Sequence, residues 1–340
     1  MKKLILLLTV LFGAVSMSAQ DNDIQEEEVL VKVEKDGKYG FIDKSGNVAI
    51  PFIYDWADDF NDGLAKVCKD GKIAGDHSYG FVDKSGKVVI PLIYGEASSF
   101  NDGLATVEKD GKYGFIDKSG NVAIPFIYDW ADDFNDGLAR VRKDGKYGFI
   151  DKSGKVVIPL IYDDVAVHDG GGYFNDGLAE VEKERKRGLI DKSGKIVIPI
   201  IYDDIDYYNY SENSDEHYYF NDGLAKVEKD GKKGLIDKSG NLVVPCIYAD
   251  IDNFKDGLAK VWVSKENSKL RLFIQKYGLI DKSGKVVVPL IYDEIFNDGY
   301  GLVKLKKDGK WYGIDESGKV VTSAVPNWHY DDDEYDKVVF

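Results

Sequence analysis

Tyr39-Gly40-Phe41-Ile42-Asp43-Lys44-Ser45-Gly46, followed at once by Asn47-Val48-Ala49-Ile50-Pro51-Phe52-Ile53-Tyr54-Asp55, is the stretch on which the fold turns. With small changes it occurs eight times. The glycine at its second position falls at Gly40, Gly80, Gly114, Gly148, Gly188, Gly234, Gly278 and Gly313, so the spacing runs from 34 to 46 residues. A period in that range marks a stacked or radial array, whose units cannot bury their apolar faces alone.

Working outward, the run Val29-Leu30-Val31-Lys32-Val33 is β-prone and leads into Lys35-Asp36-Gly37-Lys38. Asp-Gly between two strand-like runs signals a tight hairpin, because Gly accepts the positive φ that the turn requires. The second strand is Tyr39 to Asp43, ended by the Asp43-Lys44-Ser45-Gly46 turn. Val48-Ala49-Ile50 is apolar on successive residues, which predicts a third strand buried on both faces. A proline follows in seven copies (Pro51, Pro91, Pro125, Pro159, Pro199, Pro245 and Pro289). Lacking an N–H, it places the chain on an edge, in a bulge, or leaving the sheet. An acidic loop and Phe-Asn-Asp-Gly-Leu-Ala then open the next unit. No segment after the first residues carries a capped 3.6-residue period, so helix should be scarce.

The recurring Asp-Gly-Leu-Ala-x-Val, Asp-Gly-Lys-x-Gly-Phe-Ile-Asp, Gly-x-Val-x-Ile-Pro and Tyr-Asp resemble the bacterial WG (also called KWG) repeat, from about Val29 to Val321. The signature itself departs. Its Trp is Tyr at Tyr39, Tyr79, Tyr113, Tyr147 and Tyr277, but Arg187 and Lys233 in two copies, and Tyr312 preceded by Trp311 in the last. The resemblance implies an all-β repeat array and partner binding rather than catalysis. The expected architecture is eight three-stranded β-meanders of about 34 residues forming an open curved superhelix, with an eight-bladed propeller as the alternative.

Residues 33–65 and 107–139 are identical at 33 consecutive positions, which marks a structural unit copied whole. The informative residues are those that break the pattern. Insertions fall at 73–78, 264–275, 168–173 and 206–219. The last two occupy equivalent loops of neighbouring units and bring Tyr173, Tyr207, Tyr208, Tyr210, Tyr218 and Tyr219 together as the candidate ligand-binding patch.

Chemistry-bearing motifs are missing. His77, His168, His217 and His329 lie in irregular segments without metal-ligand spacing. No Gly-x-Ser-x-Gly, Walker A or dinucleotide fingerprint occurs. No catalytic residue, metal or cofactor is therefore assigned. Asp58-x-Phe60-x-Asp62-Gly63 mimics the start of a calcium loop, but Phe occupies a ligand position and no Glu follows at the required distance. Carboxylate pairs such as Asp58-Asp59 and Asp132-Asp133 read as solvated faces or turn formers. Cys68 replaces a charged residue of other copies and should face solvent, whereas Cys246 replaces core residues such as Phe52 and Leu92.

Residues 1–19 have the layout of a secretory signal: Lys2 and Lys3, an apolar run from Leu4 to Val15, then small residues. Residues 20–28 form an acidic leader, 29–322 the eight repeats, and 323–340 a capping tail. The formal net charge of −15 disfavours nucleic acid and anionic lipid. The expectation is an exported, non-enzymatic scaffold for a protein or cell-surface partner, with no membrane span after signal removal. Glycan or calcium binding is the alternative.

Overall fold

The computed structural model describes residues 29–70, 77–167, 172–209, 217–267, 272–297, 303–314 and 320–321. The segments expected as signal, acidic leader and capping tail lie outside the described residues. All regular structure within them is β. Among the described residues, eight antiparallel sheets of three or four strands follow one another, at 31–54, 56–94, 96–128, 130–162, 164–202, 204–248, 250–292 and 294–321, and a two-stranded ribbon lies within the sixth span.

The second sheet shows the plan. A two-residue lead strand, Trp56–Ala57, is followed by Leu64–Asp70, His77–Asp83 and Val88–Tyr94, each paired to the next. The first sheet is the expected three-stranded meander; from the second sheet on, the lead strand is an addition to it. It forms because the chain after Tyr-Asp turns alongside the following unit, pairing Trp56 with Cys68 and Ala57 with Val67. The repeated Asp-Gly serves two turns per unit. Asp62 and Gly63, at φ +52° and +84°, close a hairpin in which Asn61 and Leu64 exchange hydrogen bonds of 2.9 and 3.1 Å. Asp36 and Gly37, at φ +53° and +73°, close the longer one. In the turn after the second long strand, Asp43 Oδ1 accepts the N–H groups of Ser45 and Asn47, both at 2.8 Å. The Asn47 side-chain amide and these N–H groups hold the Asp43 carboxyl below its usual range.

The proline lies inside the third strand, in a bulge. Tyr39 faces Tyr54 and Phe41 faces Ile50, so Gly40 alone spans residues 51–53. The bulged backbone folds over the glycine: a Cβ on Gly40 would sit 2.5 Å from the Ile50 carbonyl oxygen and 2.8 Å from the Pro51 carbonyl carbon. This explains why the glycine of Tyr-Gly recurs while its aromatic partner varies. The third strand is not buried on both faces as expected. Val48 is exposed while Ile50 and Tyr54 are buried, because only one face of this strand meets the neighbouring sheet.

The core is divided among the junctions. At the third–fourth junction, Phe115, Ile124 and Tyr128 pack against Ala131, Phe134, Ala139, Val141 and Ile150 of the next sheet. Tilted ring contacts of 4.8–4.9 Å (Phe41–Phe60, Phe81–Phe100, Phe115–Phe134) recur across successive junctions. Among the described residues there are seven such clusters, one for each junction between consecutive sheets, and none joins the eighth to the first. A closed ring of eight would need an eighth. The array is an open β-meander solenoid.

Polar links repeat with the core. Lys118–Asp62, Lys152–Asp102, Lys192–Asp136 and Lys282–Asp222 join four of the Asp-Lys-Ser-Gly turns to the Asn-Asp-Gly turn of the preceding sheet at 2.9–3.1 Å. The aspartate of Tyr-Asp clamps successive hairpins: Asp203 accepts the Lys186 ammonium and, at 2.6 Å, the N–H of Asp230. The acidic pairs also act between sheets. Asp133 accepts the Thr106 hydroxyl at 2.6 Å and Asp58 that of Ser99 at 3.2 Å, while Asp58 also pairs with Lys66 of its own sheet at 3.3 Å. Asp59 and Asp133 stay exposed, so the pairs are solvated, as expected, and also connect sheets. In the calcium-like stretch, Asp58 and Asp62 are thus held by lysines and Phe60 packs on Phe41.

Candidate functional site

Each sheet presents to the next an apolar end and a polar end. From the second sheet on, the polar end is a cross-strand row: one residue from the lead strand, one from the first long strand, and the signature residue of the second. In the second sheet the row is Trp56, Cys68, Tyr79; in the fourth it is Trp130, Arg142, Tyr147. In the fifth it is Asp164, Glu182, Arg187, and in the sixth Asp204, Glu228, Lys233. The residue of Leu-Ala-x-Val lies beside the row, as Lys66, Arg140, Glu180 or Lys226.

Where the signature aromatic is lost, ion pairs occupy its place. Arg187 reaches Glu180 at 3.1 Å and Asp204 at 2.9 Å. Lys233 reaches Asp206 at 2.7 Å and Glu228 at 3.0 Å. Glu180 is 7% exposed, and burial pushes its carboxyl up to about 7 despite Arg187. At the fourth–fifth junction Arg140 binds Asp132 at 2.9 Å and the Val165 carbonyl oxygen at 2.9 Å. Its guanidinium lies 5.0 Å from the centre of the Tyr147 ring and 4.5 Å from that of Tyr173.

A cavity of about 620 Å³ opens at the second–third junction, lined by Asp55, Trp56, Lys66, Cys68, His77, Tyr79, Glu96 and Ala97. Trp56 and Tyr79 meet edge to face at 6.5 Å, and His77 lies 6.3 Å from Tyr79. Lys66 donates to the Ala97 carbonyl oxygen at 2.9 Å while its ammonium stands 5.1 Å from the Trp56 ring centre. Cys68 is 2% exposed, not solvent-facing as the sequence suggested. Its row points at the next sheet, and the long charged residues at equivalent positions reach the rim from a half-buried stem. Cys246 is half-buried against the core of the fifth–sixth junction, in keeping with its apolar equivalents.

The tyrosine patch separates into buried and exposed members. Tyr173 belongs to the fourth–fifth core, edge-on to Phe149 at 5.7 Å, and Tyr219 to the fifth–sixth core. Both are buried and anchor the insertions rather than presenting rings to solvent. Burial raises the hydroxyl of Tyr219 far above its usual range, with Glu180 adding to the effect. Tyr207 is exposed, and Tyr208 pairs through its backbone with the half-buried Tyr218 in a small hairpin of its own. Tyr210 lies outside the described residues. Among the described residues no three His, Cys, Asp or Glu side chains converge as a metal site.

A second surface feature was not anticipated. The third strands expose one aliphatic residue on either side of the proline. Val88 and Ile93, Val122 and Ile127, Val156 and Ile161 are 42–52% exposed, and the pattern runs from Val48 to Ile291. The sequence held the signal, since both positions are aliphatic in every proline-bearing copy, but the apolar run around them read as core.

The family description "WG containing repeat" matches residues 39–72, 79–113, 113–147, 147–186, 188–213, 234–266 and 277–311. No curated protein matches the chain in sequence. Among solved structures, a eukaryotic initiation factor is similar at 12% identity and TM-score 0.34, covering 88% of this chain and 85% of its own. Kluyveromyces lactis Hsv2 is similar at 8% and 0.31, covering 75% and 96%. Pyrococcus horikoshii acylaminoacyl peptidase is similar at 10% and 0.28, covering 78% and 52%. Likeness at that level lends no weight to any functional reading. The family match spans most of the array, and the glycine, the proline bulge and the shared junction cores account for its pattern: this chain belongs to the WG-repeat family.

Proposed function

We propose that this is an exported, non-catalytic scaffold that binds a protein or cell-surface partner along its third-strand edge. The observation that carries the reading is the exposed aliphatic pair repeated on successive sheets. In a stacked array equivalent positions fall in line, so the pairs form a periodic ridge rather than scattered apolar residues. Seven copies of one contact suit an extended partner, because repeated weak contacts add through effective concentration. The insertions ahead of the fifth and sixth sheets' long strands supply a second contact through Tyr207 and the Tyr208–Tyr218 hairpin.

The test is capture of partners from the surface of the source cells by cross-linking. Ile93, Ile127, Ile161 and Ile201 are changed together to Thr in one variant, and residues 207–218 are deleted in another. The scaffold reading expects the Thr variant to keep its melting temperature and lose the captured partner. Retention of the same partner by both variants would sink it.

A further inference from the structure

The cleft between the second and third sheets is not used by the ridge, and the chain carries its own control for it. Trp56 and Trp130 sit in the identical 33-residue segments and are both 38% exposed. Beyond those segments the copies diverge: Lys66 corresponds to Arg140, and Cys68 to Arg142. At the fourth–fifth junction two guanidinium groups stand where Lys66 and Cys68 stand here, 5.0 and 5.7 Å from the Tyr147 ring centre. At the second–third junction the short Cys68 side chain stops at the floor and the cavity of about 620 Å³ remains. That size is within the range of small-molecule sites.

We propose that this cleft binds one or two rings of a neutral saccharide. Trp56 and Tyr79 give it apolar walls on which the C–H face of a sugar can rest. Asp55, Glu96 and His77 line its polar side. The carboxylates are already fixed in place, Asp55 by Lys38 and Glu96 by the Tyr113 hydroxyl at 2.6 Å. A carboxylate has about four acceptor sites, so each can still take a sugar hydroxyl.

Charged ligands fit less well. The Lys66 ammonium occupies one face of the Trp56 indole and pairs with Asp58 at 3.3 Å, so a cation stacking on that face would have to displace it. An anion would meet two carboxylates on a chain of formal charge −15. A neutral, hydroxyl-rich ligand satisfies both the aromatic walls and the acceptors.

The experiment uses the full chain on an array of neutral, acidic and amino saccharides. Calorimetry follows, with the neutral mono- or disaccharide retained, and with choline and glucuronate as charged probes. Cys68→Arg installs the residue that the fourth sheet already tolerates at this position, and Trp56→Ala removes a wall. Trp130→Ala is the matched control. A neutral saccharide should bind, lose about tenfold or more in affinity with Cys68→Arg and with Trp56→Ala, and be unaffected by Trp130→Ala. The proposal is overturned if no neutral saccharide binds, if binding survives Cys68→Arg, or if choline or glucuronate binds in its place. Because the ridge variant leaves the cleft intact, failure of this test and failure of the scaffold reading are distinguishable.

Discussion

A single methyl group is enough to disrupt one sheet of this array. A Cβ on Gly148 would lie 2.5 Å from the Ile158 carbonyl oxygen and 2.8 Å from Leu160 N, both backbone atoms held by the bulge. Gly148→Ala is expected to destabilise by about 2–3 kcal/mol. Gly313→Ala, with no described atom within 4 Å and no proline bulge opposite, should be close to neutral in the same urea titration. Strain of the opposite sign sits in the fifth sheet, where Glu184 and Arg185 take φ +55° and +63° in place of Asp-Gly. Arg185→Gly should therefore stabilise by about 1 kcal/mol.

Glu180 makes stability depend on pH. Its folded carboxyl titrates near 7, above the ordinary 4.5, so between those values the folded chain holds a proton that the unfolded chain has lost. Stability should fall as pH rises from about 4.5 through 7, by on the order of 2–3 kcal/mol, then level off. Glu180→Gln should flatten that slope in thermal melts; an unchanged slope would remove Glu180 as its source. The aspartates of the turns act oppositely and lower down. Asp43, Asp117 and Asp237 have depressed carboxyls, so their contribution is lost only as pH falls below the usual carboxylate range.

At the scale of the element, the insertions are anchored at their ends by core residues. Tyr219→Ala removes a buried ring from the fifth–sixth core and should cost about 3–4 kcal/mol, while Tyr207→Ala, at an exposed position, should change stability by less than about 0.5 kcal/mol. The turns were legible in the sequence because Asp-Gly and Asp-x-Ser-Gly prescribe backbone angles locally. The bulge was half legible: Pro51 required an interruption, but the reason for Gly40 needed the opposite backbone in view. The lead strand was missed, since two residues carry no periodicity. Its one clue was a recurring apolar second position, as in Ala57, Ala131, Val165, Ile205 and Ile251. The cleft was missed for a different reason. Substituting Cys68 for Glu or Arg looked like a change on a wet surface, because a long charged side chain can leave a half-buried row and a short one cannot.

For the whole molecule, stability is the sum of short-range terms between consecutive sheets, and nothing described ties the last to the first. The internal duplicate allows a direct test. Deleting residues 33–106 joins Lys32 to Val107, and because 107–139 repeats 33–65, native sequence is restored across the join. The product should have six sheets, five complete junctions and no second–third cleft. The decisive measurement is the unfolding of this shortened chain, followed by circular dichroism in urea. An open array predicts a soluble, cooperatively unfolding protein whose β signal per residue matches the parent. Aggregation, or a spectrum without β structure, would mean that the sheets depend on closure or on distant contacts, and would contradict an array held together only by neighbouring junctions.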